Sequence, residues 1–438
     1  MPAPVQSLTP EDVGAYVRER CFEPAGENGL LGVELEWLTV RPSDPGAYVD
    51  LAAVRAAVAN QSDVARRGRS GAEASSGLPG GGRITYEPGG QVEISSAPLH
   101  SVDEVCTAAA LDRSALASAL AGQGIALVGL GLDPARGPRR VIEGGRYDAM
   151  ETYFDRAGPE GRRMMCSTAA IQVNVGLGPG EMVEHRWRLA HQLGPTLAAA
   201  FANSPLMHGV PSGWASGRLA AWRSLDRTRQ GPVPQNAPPT QAWARYALDA
   251  QVMLMRTGDR ADRFVPILDP LPFGRWMREG HELGFPTLDD FAYHLTTLFP
   301  FVRPRGWLEM RMFDGLPDPW WRVPVAVTAA LLFDEEAGET ARVVSKAAEG
   351  MWSEAARHGL SHPALADAAR GAFAAALEAL PRIGADPRTA RAAAAFFDRY
   401  ADRGRCPADD RLQAWTDDGS LHPFDDPVEL TIMEATWT

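Results

Sequence analysis

The chain has 438 residues, 45% of them hydrophobic and 22% charged, and a formal net charge of -12. It can bury a large core and has an ordinary globular composition, while its acidic balance argues against non-specific nucleic-acid binding. No apolar run reaches membrane-spanning length and no basic-then-apolar stretch opens the chain, so a soluble, cytoplasmic protein is expected.

Cysteine and lysine usage narrows the chemistry. Cys21, Cys106, Cys166 and Cys406 are scattered without paired spacing, which argues against a disulfide framework or a structural zinc site. Lys346 is the only lysine, and it sits in an alanine-rich helical stretch. A P-loop needs a lysine beside a glycine-rich turn, and a Schiff-base cofactor needs one in the site. Phosphate recognition here must therefore use arginine, backbone N–H groups and metal.

Thr9-Pro10-Glu11 reads as a helix start, with an N-cap, proline at the first position and an acidic first turn, running to about Cys21. From Leu31 to Val40, Val33, Leu35 and Trp37 alternate with Glu34 and Glu36. Two carboxylates at i and i+2 of a strand share one face, roughly 7 Å apart. With no cation between them they repel, so metal or substrate contact is the reading for Glu36 and, less strongly, for Glu34, against a merely solvated face. Residues 51–60 read as a short helix, and 61–82, rich in Gly, Ser and Arg, as a loop that either covers substrate or has no role.

Arg83 to Pro98 reads as two short strands broken at Pro88-Gly89-Gly90. Period-2 alternation sets Glu87 on one face of the first and Gln91 with Glu93 on one face of the second. The alternatives are carboxylates gathered on a rigid sheet or a solvated hairpin. Ser101 caps a helix over Val102–Ala121, Gly124–Leu132 reads as a buried strand, and Gly137–Asp155 as a polar loop with a short helix. Arg162–Val175 ends in a strand with Ile171, Val173 and Val175 on one face and Ala170, Gln172 and Asn174 on the other. Those amides are either ordinary hairpin polarity or oxygen ligands for a metal or substrate.

Pro179–Ala202 reads as a long amphipathic helix. In Trp222–Gly231, Arg223, Arg227 and Arg229 surround Asp226, as a solvated helix face or a carboxylate-binding fork. A helix over about 241–256 follows a proline-rich loop. In Pro304–Leu316, Trp307, Glu309, Arg311 and Phe313 fall on one strand face and Leu308, Met310 and Met312 on the other. Glu309 and Arg311 are either an internal ion pair or a metal ligand beside an anion anchor. Residues from about 323 to 403 read as alanine-rich helices, and the last 35 show no periodic pattern.

Four strands thus share one design, apolar on one face and bearing glutamates, amides and arginines on the other. The fold class is α+β, a sheet covered by helices on its apolar face. The open face would collect Glu34, Glu36, Glu87, Glu93 and Glu309 with Gln172, Asn174 and Arg311. Oxygen ligands without His or Cys suit Mg²⁺ or Mn²⁺ rather than zinc. Magnesium beside arginines is equipment for phosphoryl transfer from a nucleotide.

YEPGGQVEISSAPL resembles the EPGGQ-x-E-[LI]-S-x-AP signature of plant-type glutamate–cysteine ligases. GVELEW resembles their GxExE strand, AAIQVNV their TVQVN strand and RGWLEMRMFDGLP their GYLEMRGAD segment. Trp222, Asp226 and Arg229 fit their W-x3-D-x2-R pattern, and ANSP at 202–205 fits too. The actinobacterial members that make γ-glutamylcysteine for ergothioneine are the nearest likeness. Ser167 stands where the family has an arginine, with Arg162 or Arg163 as a substitute, and Gly176 stands where it often has an acid.

The resemblance implies a glutamine-synthetase-like antiparallel catalytic sheet with helices on its outer face. It implies one catalytic domain over 1–438, with motifs in about 30–320 and a helical part over about 321–438. The implied reaction activates the γ-carboxylate of glutamate with ATP, and cysteine then attacks the γ-glutamyl phosphate. Glu34, Glu36, Glu87, Glu93 and Glu309 would hold two or three Mg²⁺, with Mn²⁺ as an alternative. Glu36 and Arg311 would be catalytic, and Arg311 with Arg305 would contact ATP. Arg229 would bind the glutamate α-carboxylate, with Gln172, Asn174, Trp222 and Arg223 also in the substrate site. Glutamate, cysteine and ATP are the expected partners, with no nucleic acid and no membrane, for a monomer or a dimer. The rival readings are a same-fold ligase with another amine acceptor and a non-catalytic nucleotide- or amino-acid-binding protein.

Overall fold

The computed structural model describes residues 8–24, 29–67, 77–257 and 263–422. Seven strands form one sheet: β1 (Leu31–Val40), β2 (Arg83–Tyr86), β3 (Val92–Ser95), β4 (Ala126–Val128), β5 (Ala170–Gly176), β6 (Val302–Pro304) and β7 (Trp307–Asp314). Their order is β6-β7-β5-β1-β3-β2, with β4 paired to β1. Every pairing is antiparallel.

The alternation seen in the sequence sets the register. Leu35 opposes Ile94 and Ile171, Val33 opposes Val173, and Met310 opposes Val173 from the other side. All are buried on one face, where a helix-covered sheet excludes water. Helices Val102–Ala121, Glu181–Ala200 and Arg322–Phe333 pack there. Arg322–Phe333 is apolar on nearly all sides, as a helix between two layers must be. The C-terminal helices share this core: the Phe201 ring lies 5.5 Å from that of Phe313 in β7 and 5.0 Å from that of Phe396. The expected α+β class, an antiparallel sheet with helices on its outer face, is therefore what the chain adopts.

One departure reshapes the polar face. The register of β7 against β5 runs from Met310↔Val173 to Phe313↔Ile171, so Arg311 and Met312 together oppose Gln172 in a β-bulge. The bulge resets the alternation. Phe313 joins the apolar face rather than the face of Trp307, Glu309 and Arg311. Asp314, opposite Ala170, comes in beneath the polar face.

Local expectations were corrected in several places. The first helix is α-helical over Pro10–Tyr16 with a Thr9–Asp12 capping box, and continues as a π turn over Val17–Phe22. The helix expected over 51–60 continues to Arg67, and residues 68–76 of the expected loop lie outside the described residues. Of the strand expected over Gly124–Leu132 only Ala126–Val128 joins the sheet, and Leu132 makes an isolated antiparallel bridge to Thr168. Beyond it the chain crosses the end of β7 too closely for side chains. A Cβ on Gly129 would stand 2.2 Å from the Leu316 carbonyl oxygen, and one on Gly131 2.3 Å from Asp314 Cγ. The helix expected over 241–256 spans Pro239–Asp249, and Leu254–Arg256 instead pairs with Phe264–Pro266. A further helix, Pro407–Asp418, starts at Pro with acids in its first turn, a signal from capping rather than periodicity.

Candidate active site

On the polar face lies a cleft of about 250 Å³ lined by five glutamates (Glu34, Glu36, Glu87, Glu93, Glu309) and five arginines (Arg146, Arg218, Arg303, Arg305, Arg311). Strand pairing puts the acids there. Glu36 directly opposes Glu93, Glu34 opposes Gln172 and Ser95, and Glu309 opposes Asn174 and Arg303. Glu87 arrives through the hairpin turn. There Gly90 takes φ 89°, its N–H donates to the Glu87 carbonyl, and the Glu87 N–H donates to the Gln91 carbonyl.

The charges are segregated. Carboxylate oxygens of Glu36, Glu87 and Glu93 lie within 4.8 Å of one another. Each of the outer two has neutral donors: Glu36 accepts from the Ala170 N–H at 2.8 Å and Gln172 Nε2 at 3.1 Å, and Glu93 from Thr85 Oγ1 at 2.7 Å and Ser95 Oγ at 2.9 Å. Among the described residues none of the three has an ion-pair partner. Burial, then the charges of Glu87 and Glu93, push the Glu36 carboxyl well above its usual range. Burial, then Glu93, pushes Glu87 up to about 7. Glu34 also rises to about 7, through burial and then Glu309 and Glu93.

At the other end one carboxylate meets three guanidiniums. Arg303 grips both Glu309 oxygens, Nε to Oε2 at 2.5 Å and Nη2 to Oε1 at 3.0 Å; Arg311 approaches to 3.1 Å and Arg305 to 3.5 Å. Burial alone would raise the Glu309 carboxyl, but the Arg303 and Arg311 charges and the Arg303 hydrogen bonds hold it well below the usual range. Gln172 joins the two ends: its Nε2 donates to Glu36 and its Oε1 accepts from Arg311 Nη1. Asn174 donates to Glu34 Oε1 at 3.1 Å and accepts from Trp307 Nε1 at 3.0 Å.

Beneath the cleft, Arg218 is buried. Its Nη2 donates to the Arg311 carbonyl at 2.8 Å, and its guanidinium lies 3.7 Å from Asp314 and over the Trp222 ring. Asp314 accepts in turn from the Asn203 N–H, Ser204 Oγ and Ser216 Oγ. Arg218 Nε and Nη1 and Arg311 Nε are buried without hydrogen-bond partners. Buried donors of this kind are costly unless an anion takes them.

Of the residues singled out from sequence, Glu34, Glu36, Glu87, Glu93, Glu309, Gln172, Trp222, Arg305 and Arg311 meet in this cleft. Asn174 lines an adjoining cavity of about 380 Å³, which shares Glu34 and Arg305 with the cleft and includes Trp307. Arg229 and Arg223 do not join them. Arg229 is 0% exposed and bonds Asp226 Oδ2, the Thr297 carbonyl and the Gln251 carbonyl, so donors on all three of its nitrogens are engaged. Arg223 reaches away to Ser353 Oγ at 2.7 Å. Nor do Arg162 and Arg163 stand in for the arginine absent at Ser167, since they pair with Asp155 and Glu160. Sequence reasoning missed Arg146, Arg218 and Arg303. Arg303 had a findable signal: it precedes Glu309 by six residues across a tight turn at Arg305-Gly306, which makes them strand partners.

A cleft with acids at one end and arginines at the other suits a ligase, and the family agrees. The glutamate–cysteine ligase family 2 (GCS2) profile matches residues 30–425, so the chain belongs to that family, C-terminal helices included. It is 40% identical over 404 residues to the glutamate–cysteine ligase EgtA of Mycobacterium tuberculosis, covering 90% of this chain and 88% of that one. It is 38% identical to the EgtA of Mycolicibacterium smegmatis, covering 93% and 92%. The chloroplastic glutamate–cysteine ligase of Nicotiana tabacum is 29% identical over 360 residues, covering 76% of this chain and 65% of that one. Among solved structures, a glutamate–cysteine ligase of Francisella tularensis in complex with AMP aligns over 95% of this chain and 89% of that one, with 12% identity and a TM-score of 0.47.

Proposed function

We propose that this protein joins the γ-carboxylate of L-glutamate to the amine of L-cysteine at the expense of ATP, as one catalytic unit over 1–438. Its product, γ-glutamylcysteine, serves ergothioneine biosynthesis in the cytoplasm. No helix among the described residues is long and apolar enough to cross a membrane. The observation that carries the reading is the division of charge in the cleft: three carboxylates without an ion-pair partner among the described residues beside one carboxylate with three arginines. The first end attracts metal ions and the second attracts phosphate.

The donor set fits Mg²⁺ or Mn²⁺. Glu36, Glu87 and Glu93 offer hard oxygens at mutually close range, and bringing a cation among them removes a repulsion that already raises two of them. Glu34 and Glu309 are the further candidates, Glu309 only by giving up an arginine. Such ions neutralise phosphate charge and orient the transferring group.

The rest is positioning and electrostatics by the chain itself. A γ-carboxylate oxygen of glutamate attacks the γ-phosphorus and ADP leaves; the cysteine amine then attacks the acyl carbon, with release of phosphate and a proton. Arg311, oriented by Gln172 and Glu309, offers positive charge where the phosphoryl group passes. Arg305 and Trp307 flank the adjoining cavity, which gives the nucleoside its room. With Arg229 engaged elsewhere, the glutamate α-carboxylate falls to Arg146 or Arg218.

The test is ADP formation with Mg-ATP and glutamate, comparing cysteine with other amino acids and small amines. Turnover selective for cysteine is expected. Equal turnover with another amine would replace the product, and ATP binding without turnover on any acceptor would leave a binding protein.

A further inference from the structure

A cavity of about 650 Å³ opens between helices Val102–Ala121 and Pro387–Arg399 and the start of helix Arg322–Phe333. It shares no lining residue with the cleft or with the cavity beside it. Two of its three helices cover the apolar face of the sheet, so it lies across the sheet from the cleft. Its floor is Cys106, Arg322 and Thr389, all buried, and its wall is apolar at Ala110, Leu111 and Pro387. Burial pushes the Cys106 thiol up to about 12, so Cys106 lines the floor as an apolar surface and not as a nucleophile.

The Arg322 side chain is only 7% exposed, yet it uses one nitrogen: Nη1 donates to Asp318 Oδ1 at 2.5 Å. Among the described residues Nε and Nη2 have no hydrogen-bond partner, and neither is sealed from solvent. These two nitrogens form the side edge of the guanidinium, the edge by which Arg382 takes both oxygens of Asp334 and Arg342 both of Glu339. Asp318 and the Trp321 ring, whose centre is 4.5 Å from the guanidinium carbon, hold it in place. A buried, pre-set two-point fork beside open volume fits a carboxylate. Asp103 and Asp386 also line the cavity, with their side chains in hydrogen-bonding contact with each other. Thr107 Oγ1 already donates to Asp103, and the N–H groups of Arg388 and Thr389 to Asp386. Two carboxylates side by side still favour a cation. Arg322 is not that cation, since its one ion-pair partner among the described residues is Asp318, although its charge and those of both acids act on the same Cys106 thiol. Arg388 and Arg391 stand at the exposed rim, each with a partner of its own.

We propose that this cavity is a second binding site, separate from the cleft, for an α-amino acid with an apolar side chain. Its carboxylate sits in the Arg322 fork, its ammonium against Asp103 and Asp386, and its side chain along Ala110, Leu111 and Pro387. Opposite charges that face one volume without meeting match a zwitterion, and the wall between them matches an apolar body. A second carboxylate, as in glutamate, would find no further donor on that wall. No cleft residue takes part, so the proposal stands apart from the ATP-dependent reading.

Calorimetric titration of the full chain with L-leucine, L-methionine and L-phenylalanine tests this, alone and with glutamate, Mg²⁺ and the non-hydrolysable analogue AMP-PNP in excess. At least one of the three should bind one-to-one, with an affinity that those additions leave unchanged. The N-acetyl derivative of that amino acid lacks the ammonium and its amide lacks the carboxylate, so both should bind at least tenfold more weakly. Arg322→Lys keeps a charge beside Asp318 but loses the fork, and should weaken binding by about tenfold or more. Ala110→Trp fills the wall without touching a charge and should abolish binding. Melting curves monitor the fold, and should Arg322→Lys not fold, Ala110→Trp decides. No binding by any of the three overturns the proposal, as does displacement by glutamate, equal binding of either derivative, or an affinity that the folded variants leave unmoved.

Discussion

Glu36 and Glu93 are Cα partners across the antiparallel pair of β1 and β3, and Glu87 closes on them from the hairpin turn. Directly opposed like charges destabilise a sheet. Here the flanking pairs, Leu35 with Ile94 and Trp37 with Val92, are buried and hold the register that forces the acids together. The apolar face thus imposes on the polar face a charge pattern that the polar face would not choose. Packing on one face thus fixes an acidic cluster on the other against its own repulsion.

Glu87 shows most simply what burial, and then the neighbouring Glu93 charge, cost a carboxylate here, because no side-chain hydrogen bond among the described residues holds it. In the unfolded chain it ionises near its ordinary 4.5, and in the fold near 7. Between those values the folded state keeps a proton that the unfolded state has lost, so stability falls as pH rises through the window and the loss is complete above it. Glu87→Gln has no such proton to lose. Without metal, its melting temperature should exceed that of wild type, by a margin that widens from about pH 5 to about pH 8 at up to about 1.4 kcal/mol per pKa unit. The stabilisation that Mg²⁺ confers on wild type should shrink in the same variant. A margin that is flat across pH would remove the claim that Glu87 is held against its charge.

Glu36→Gln and Glu309→Gln should both abolish ATP-dependent phosphate release, and stability should separate them. Glu36 has neutral donors, one on each oxygen, so the amide leaves one of them unpaired and costs the metal-free fold about 1–3 kcal/mol. Glu309 neutralises Arg303 and Arg311, both largely buried, and its loss strands those charges at about 3–5 kcal/mol. Melting curves beside phosphate-release rates check this. Near-wild-type rates in both variants would remove the metal assignment, and equal melting temperatures would remove the account of Glu309.

Much of the site was legible because a strand's period of two is local information. Glu34 and Glu36 on β1, and Gln172 and Asn174 on β5, could be placed on a face from their neighbours alone, and a shared polar face followed. What failed was whatever depends on an interruption or a long-range partner. The bulge at Arg311 and Met312 shifts the alternation by one residue, so Phe313 turned inward and Asp314 went unread as the support of Arg218. Arg218 and Arg146 reach the cleft from helices Gly217–Ser224 and Gly145–Asp155, whose placement no spacing near the motifs encodes. Arg229 failed in the opposite direction: a polar cluster in sequence resembled a ligand fork and proved to be a buried tie.

That tie makes a separate prediction. Arg229 links Asp226 at 3.1 Å, the Thr297 carbonyl at 2.7 Å and the Gln251 carbonyl, with its guanidinium 5.1 Å from the centre of the Tyr153 ring. It therefore ties helix Gly145–Asp155 to the turn after helix Leu288–Leu295. Arg229→Ala leaves Asp226 without its cation and the two carbonyls without donors, a loss of about 3–5 kcal/mol. The expected result is a melting temperature lowered by several degrees or more, with the KM for glutamate unchanged in the enzyme that remains folded. A variant that melts like wild type while its KM for glutamate rises would return Arg229 to the substrate, and would mean that its guanidinium leaves these three partners when glutamate binds.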